Sequence, residues 1–189
     1  SEDFTGIIDG NNYSIIGMDR QEKPMFYKFD GILRNLTFDE SQFLKVSNDE
    51  NWGIIARESG SSDNIIFENI NLSGVSIDFV NDHGVYRGDL GGLIGYVVGS
   101  IVVSNSSIDL SINSMQVFDD SSGSAGGLFG RNTNKEILLE NSYLNVFFEY
   151  INEIEFNDPP QDTDRVGGVL GHLIDGSLSI QESIILANH

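Results

Sequence analysis

The run Gly91-Gly92-Leu93-Ile94-Gly95 returns as Gly126-Gly127-Leu128-Phe129-Gly130 and again as Gly167-Gly168-Val169-Leu170-Gly171, with Gly53-Ile54-Ile55-Ala56 as a degraded earlier copy. Aligned on the glycine that precedes the apolar pair, the copies begin at Gly53, Gly92, Gly127 and Gly168, spaced 39, 35 and 41 residues apart. A unit of that length holds a few short strands and turns, too little to bury its own apolar face. Stacking of one unit on the next must complete the core.

Each copy is followed by a second apolar run with a polar step, as in Ile65-Ile66-Phe67-Glu68-Asn69-Ile70 and Ile137-Leu138-Leu139-Glu140-Asn141-Ser142. Alternation then continues through Ile108, Leu110 and Ile112, or Leu144, Val146 and Phe148, which is the period of a strand. A weaker copy runs from Met25-Phe26 to Leu36, preceded by Phe4 to Asn12. No long segment offers helical periodicity between caps. A β-propeller also tolerates a period near 40, but the units lack a fourth convincing strand and any recurring Trp-Asp signature. The expected fold class is therefore all-β: a right-handed parallel β-helix, or β-solenoid, of about five rungs with long loops on one edge. Residues 1–189 are read as a single repeat domain, a fragment of a larger protein with covalently linked neighbouring domains. The paired glycines suit either a tight corner or φ values closed to side chains. Asn35, Asn69, Asn105 and Asn141 take equivalent positions, with Glu182 in the last copy. Either an amide ladder or an outward turn accounts for them.

The opening Phe4-x-Gly6-x-x-Asp9-Gly10-Asn11, the following Tyr13, Ile15 and Ile16, and the repeated Gly-Leu-(Ile/Phe)-Gly with a downstream Asn-Ser resemble the GLUG-motif repeat region of bacterial surface proteins. Such regions occur in large secreted adhesins and in the N-terminal part of IgA-specific metallopeptidases. The resemblance spans nearly the whole chain. It implies a β-solenoid segment displayed at the cell surface or secreted, and it implies no reaction.

Charge narrows the partners. Ten Lys and Arg against 29 Asp and Glu give a net charge of −19, which repels phosphate backbones and anionic head groups. Nucleic acid is therefore not an expected partner, and with no apolar run of spanning length neither is membrane insertion. The absence of cysteine removes disulfides, thiolate metal sites and a Cys nucleophile. The expected partner is a glycan or a host or other cell-surface protein.

The segments that vary between copies, 39–52, 78–90, 113–125 and 149–166, all enter just before the paired glycines, and insertions at one register of a solenoid emerge on one edge. They carry Trp52, Phe79, His83, Tyr86, Phe118 and Tyr150, the candidate ligand-binding residues, because aromatic faces beside carboxylates and amides hold sugar rings or protein loops. The competing reading folds these rings inward as satellite cores. Asp119 and Asp120, with Asp158, Asp162 and Asp164, are the candidate calcium ligands, since hard cations gather oxygen donors. Neither stretch has EF-hand spacing, and no resident cofactor is expected. Asp119-Asp120 is also similar to the paired aspartates of polygalacturonases, which makes a polysaccharide-active enzyme an alternative to the adhesin. The Gly-His-Gly and Arg-x-Lys elements that accompany such a pair are missing, so no catalytic residue is assigned. A non-binding structural stalk is the other alternative.

Overall fold

The computed structural model describes residues 2–19, 22–45, 50–79, 88–115, 123–150 and 166–188. They form strands and turns with no helix among them, and every strand pair is parallel. The chain opens with β1 (Phe4–Ile16), which lies on β2 (Phe26–Asp39), followed by the short β3 (Gln42–Lys45). Then come β4 (Ala56–Ser59) and β5 (Ile65–Phe79). From there each pass has four strands. The first set is β6 (Asp89–Gly91), β7 (Ile94–Val97), β8 (Ile101–Ser104) and β9 (Ser107–Met115). The second is β10 (Ser124–Gly126), β11 (Phe129–Thr133), β12 (Glu136–Glu140) and β13 (Tyr143–Tyr150). The last is β14 (Val166–Gly167), β15 (Leu170–Ile174), β16 (Ser177–Gln181) and β17 (Ile184–Asn188).

Strands bond to their counterparts in the neighbouring pass. Parallel neighbours need a long crossover, and here the rest of the pass supplies it. The result is one curled sheet, ordered β15-β11-β7-β4-β2-β5-β8-β12-β16 along its main path, with β1, β3, β9, β13 and β17 extending it. β14, β10 and β6 form a separate three-stranded sheet in that order.

Alternation decides what lies inside. Leu33, Phe67, Val103 and Leu139 are register partners in successive strands, and all are fully buried. Phe38, Leu72, Ile108 and Leu144 form a parallel buried row. The Phe29 and Phe67 rings stack with centroids 5.5 Å apart, and Phe4 lies on Phe29 at 5.4 Å. Each such side chain contributes roughly 2 kcal/mol by leaving water.

The glycine repeat is explained by closeness, not by handedness. None of its glycines has a positive φ, which among the described glycines is confined to Gly6, Gly17 and Gly74. Instead, a Cβ on Gly91 would stand 2.0 Å from the Ile94 carbonyl oxygen, and one on Gly127 would stand 2.0 Å from that of Gly168. The register also corrects the alignment of the degraded copy. Ala56 pairs with Ile94 and Trp52 bridges Leu90, so Gly53 answers Gly91 rather than Gly92, an offset of 38 residues counted as 90 − 52.

The Asn-Ser corner has two parts. Asn35, Asn69, Asn105 and Asn141 have φ of 54°, 52°, 51° and 46°, the left-handed region that Asn enters most easily among residues with a side chain. Glu182, at 47°, occupies that corner in the last pass. In the last three passes the residue after the corner is a serine, Ser106, Ser142 and Ser183, which restores backbone bonds the corner breaks. Ser106 Oγ accepts from Ile70 N, Ser142 Oγ from Ser106 N and Ser183 Oγ from Ser142 N, each at 3.1 Å. Each hydroxyl in turn donates to the carbonyl two residues before it, at 2.8 Å.

Candidate functional site

The variable segments share their points of departure and return. β3, β5, β9 and β13 end side by side, with Lys45 opposite Phe79, Asp78 opposite Asn113 and Met115 opposite Tyr150. The chain returns at Trp52, Leu90, Ala125 and Val166, again register neighbours. Period-two alternation up to each departure and the glycine pair after each return fix these ends, so differences in segment length are absorbed between them.

Of the residues expected in these segments, His83, Tyr86, Phe118, Asp119, Asp120, Asp158, Asp162 and Asp164 lie outside the described residues. The side chains of Phe79 and Tyr150 do so too, although their backbones close β5 and β13. Trp52 corrects the expectation of an exposed ring. It is 3% exposed, its ring lies edge-on to Phe43 with centroids 6.0 Å apart, and its indole N–H donates to the Glu22 carbonyl at 3.4 Å. Its bridge to Leu90 places it where the chain has already rejoined the sheet, so the ring turns into the core. His172 lies in β15 opposite Arg131. Among the described residues no group of three or more His, Asp or Glu is placed to hold a metal.

Two surfaces remain on the described part. The first is a polar groove of about 410 Å³ along the Asn corner, lined by Asn12, Asn35, Asn69, Asn71 and Asn105 with Thr37 and Ser107. Asn69 Nδ2 donates to Asn35 Oδ1 at 3.0 Å and to Asn12 Oδ1 at 3.3 Å, and Asn141 donates to Asn105. The amide ladder and the outward turn, alternatives in the sequence, are both present. At its foot Asp9 accepts from Asn35 Nδ2 at 3.1 Å, from Asn11 N at 2.9 Å and from Arg34 Nε at 2.9 Å. These bonds, that from Asn35 foremost, hold its carboxyl below the ordinary value of 3.8. The groove offers amide donors and acceptors in plenty, without a nucleophile beside a base.

The second surface is the outward face of β9, β13 and β17. Ser107, Asp109 and Ser111 stand opposite Tyr143, Asn145 and Phe147, which stand opposite Ile184, Leu186 and Asn188. Asn145 Nδ2 donates to Asp109 Oδ1 at 2.9 Å. Tyr143 is 39% exposed and Phe147 45%, and beside them Ile184 and Leu186 are also exposed. Sequence reasoning followed the inward partners Leu144, Val146 and Phe148 and passed over these. The signal was available, since alternation that sends Leu144 and Val146 inward must send Tyr143 and Phe147 outward.

A buried polar cluster completes the inventory. Asp89, 4% exposed, accepts from Ser124 Oγ at 2.7 Å and pairs with Arg131 Nε at 3.2 Å. Ser124 Oγ lies 2.8 Å from the Gly130 carbonyl as well. The cluster ties β6, β10 and β11 together.

The fold and surfaces together define a class: an all-β protein of stacked parallel strands with repeated insertion points and an amide-lined corner. Compared with family models, curated proteins and solved structures, the chain matches none of them.

Proposed function

We propose that the chain is an extracellular adhesin module of a bacterial surface or secreted protein, and that its passes form a right-handed parallel β-helix of about five rungs. The all-parallel pairing supports the helix, and the strong preference of parallel crossovers for one hand supports the right-handed sense. The observation that carries the functional reading is the stacking of four departure points and four return points in register. Segments inserted there share an edge, which is how a repeat fold builds one contact surface from several passes. The ligand is a glycan or a host protein held by that edge, and the GLUG-like motif supports display outside the cell. No reaction is assigned.

The test is a glycan array probed with the purified chain in calcium and again in chelator, alongside the His83→Ala and Tyr86→Ala variants. The expected result is selective binding that these variants lose while far-UV circular dichroism is unchanged. Loss of binding in chelator assigns calcium to the acidic segments, with Asp119, Asp120, Asp158, Asp162 and Asp164 as ligands. Silence on the array and in a pull-down with host surface proteins overturns the adhesin reading in favour of a stalk. Cleavage of an arrayed polysaccharide overturns it in favour of an enzyme.

A further inference from the structure

We infer that the outward face of β9 and β13 is a second contact surface of the module, one that stacks a neutral oligosaccharide on Tyr143 and Phe147 and holds its hydroxyls on Asn145 and Asp109. The inference rests on the adhesin reading and adds to it a site distinct from the loop edge.

Two neighbouring strands of this face differ in kind. β9 presents Ser107, Asp109 and Ser111, all hydrogen-bonding groups, while β13 presents two half-exposed rings with an amide between them. A stripe of rings thus lies one strand spacing, about 4.8 Å, from a stripe of hydroxyls and carboxylate. A sugar ring has the matching pair of surfaces: an apolar face of C–H groups and a rim of hydroxyls. Tyr143 and Phe147 are four residues apart on one strand, about 13 Å, so they cannot pack on each other. They do not form the concave, desolvated pocket in which protein hot spots concentrate. Two separated flat rings suit an extended chain of flat units. The hydrogen bond from Asn145 to Asp109 leaves acceptor sites on the carboxylate and a donor on the amide for the hydroxyls between the rings.

Charge selects among occupants. β9, β13 and β17 carry Asp109 and Glu149 and no Lys or Arg, on a chain of net charge −19. Sialylated, sulfated or uronic-acid glycans are repelled, and so is a second copy of this chain. A neutral saccharide meets no such penalty. The apolar Ile184 and Leu186 on the adjoining strand extend the face for a longer chain.

The experiment compares the wild-type chain with Tyr143→Ala, Phe147→Ala and Asn145→Ala on an array of neutral and anionic glycans, followed by calorimetric titration of the best neutral binder. Each ring is half exposed, so truncation should lower the urea midpoint only modestly and leave the chain folded at assay temperature, and each should weaken binding about tenfold. Wild-type binding to neutral glycans that all three variants keep overturns the inference and leaves the loop-edge reading intact. Binding to anionic glycans alone overturns it too. No glycan binding at all removes the inference together with the glycan form of the adhesin reading. Sedimentation that shows self-association lost in Phe147→Ala assigns the face to a second copy instead.

Discussion

Replacing Gly127 by alanine tests why the glycine repeat exists. Its Cβ would lie 2.0 Å from the Gly168 carbonyl oxygen and 2.7 Å from Val146 Cγ2. A carbon and a carbonyl oxygen approach to about 3.3 Å, so the two passes must part by about 1.3 Å. The obstacle is backbone, and no rotamer relieves it. Gly127 N donates to Gly167 O at 3.1 Å and Leu128 N to Val169 O at 2.9 Å. Lengthening both by that amount breaks them and strands two buried donors and two acceptors. Set against the usual range for unsatisfied groups, the loss comes to about 4 kcal/mol. Gly74 is the control, because it has a φ of 58° and nothing within 4 Å of its Cβ position. Alanine there meets only the left-handed strain, about 1.5 kcal/mol. Urea unfolding followed by far-UV circular dichroism and by fluorescence of the buried Trp52 should therefore rank Gly127→Ala well below Gly74→Ala. The reverse order, or a Gly127→Ala chain within about 1 kcal/mol of wild type, would refute close approach as the reason for the motif.

Phe67, buried and stacked on Phe29, should lose about 4 kcal/mol on truncation to alanine, seen as a lower urea midpoint at unchanged slope. Asp63 accepts from Lys135 Nζ at 3.0 Å and from Ser100 Oγ at 3.2 Å, and the lysine foremost holds its carboxyl below 3.8. A depressed folded-state value gives a contribution to stability that is complete above 3.8 and lost as pH falls through the folded-state value. Carboxyl NMR titration should place the Asp63 midpoint below that of a free aspartate, and Lys135→Ala should raise it more than Ser100→Ala.

What the sequence disclosed follows from how locally each feature is encoded. Strand alternation is a nearest-neighbour property, so Ile108, Leu110 and Ile112, and Leu144, Val146 and Phe148, read as one face of their strands, and all six are buried. The pairing of Phe26 with Ala56, and of Ile32 to Leu36 with Ile66 to Ile70, upholds the weak first copy. Register is less local. Gly53 fell one residue off because the degraded copy lacks the second glycine that anchors the others, and only the bridge from Trp52 to Leu90 fixes it. Trp52 was set among the candidate contact residues because its segment reads as loop composition up to the residue where the sheet resumes, and its burial upholds the competing reading, in which the rings fold inward. For Asn141 the sequence left ladder and turn both open, and it gave Ser142 no role, because the partners that decide, Asn105, Ser106 and Ser183, sit 36 to 41 residues away.

The serine corner bears on how passes of unequal length fit together. Each serine answers a backbone N–H in the pass before it and its own carbonyl two residues back, so the contract between neighbours is written in one dipeptide. The spacing from Leu90 to Ala125 is 35 residues and from Ala125 to Val166 is 41, yet both join the same stack at the same register. Sequence length is thus decoupled from height. Passes that differ in length, and even the earlier ones with Leu36 and Ile70 in place of the serine, are therefore held to one register.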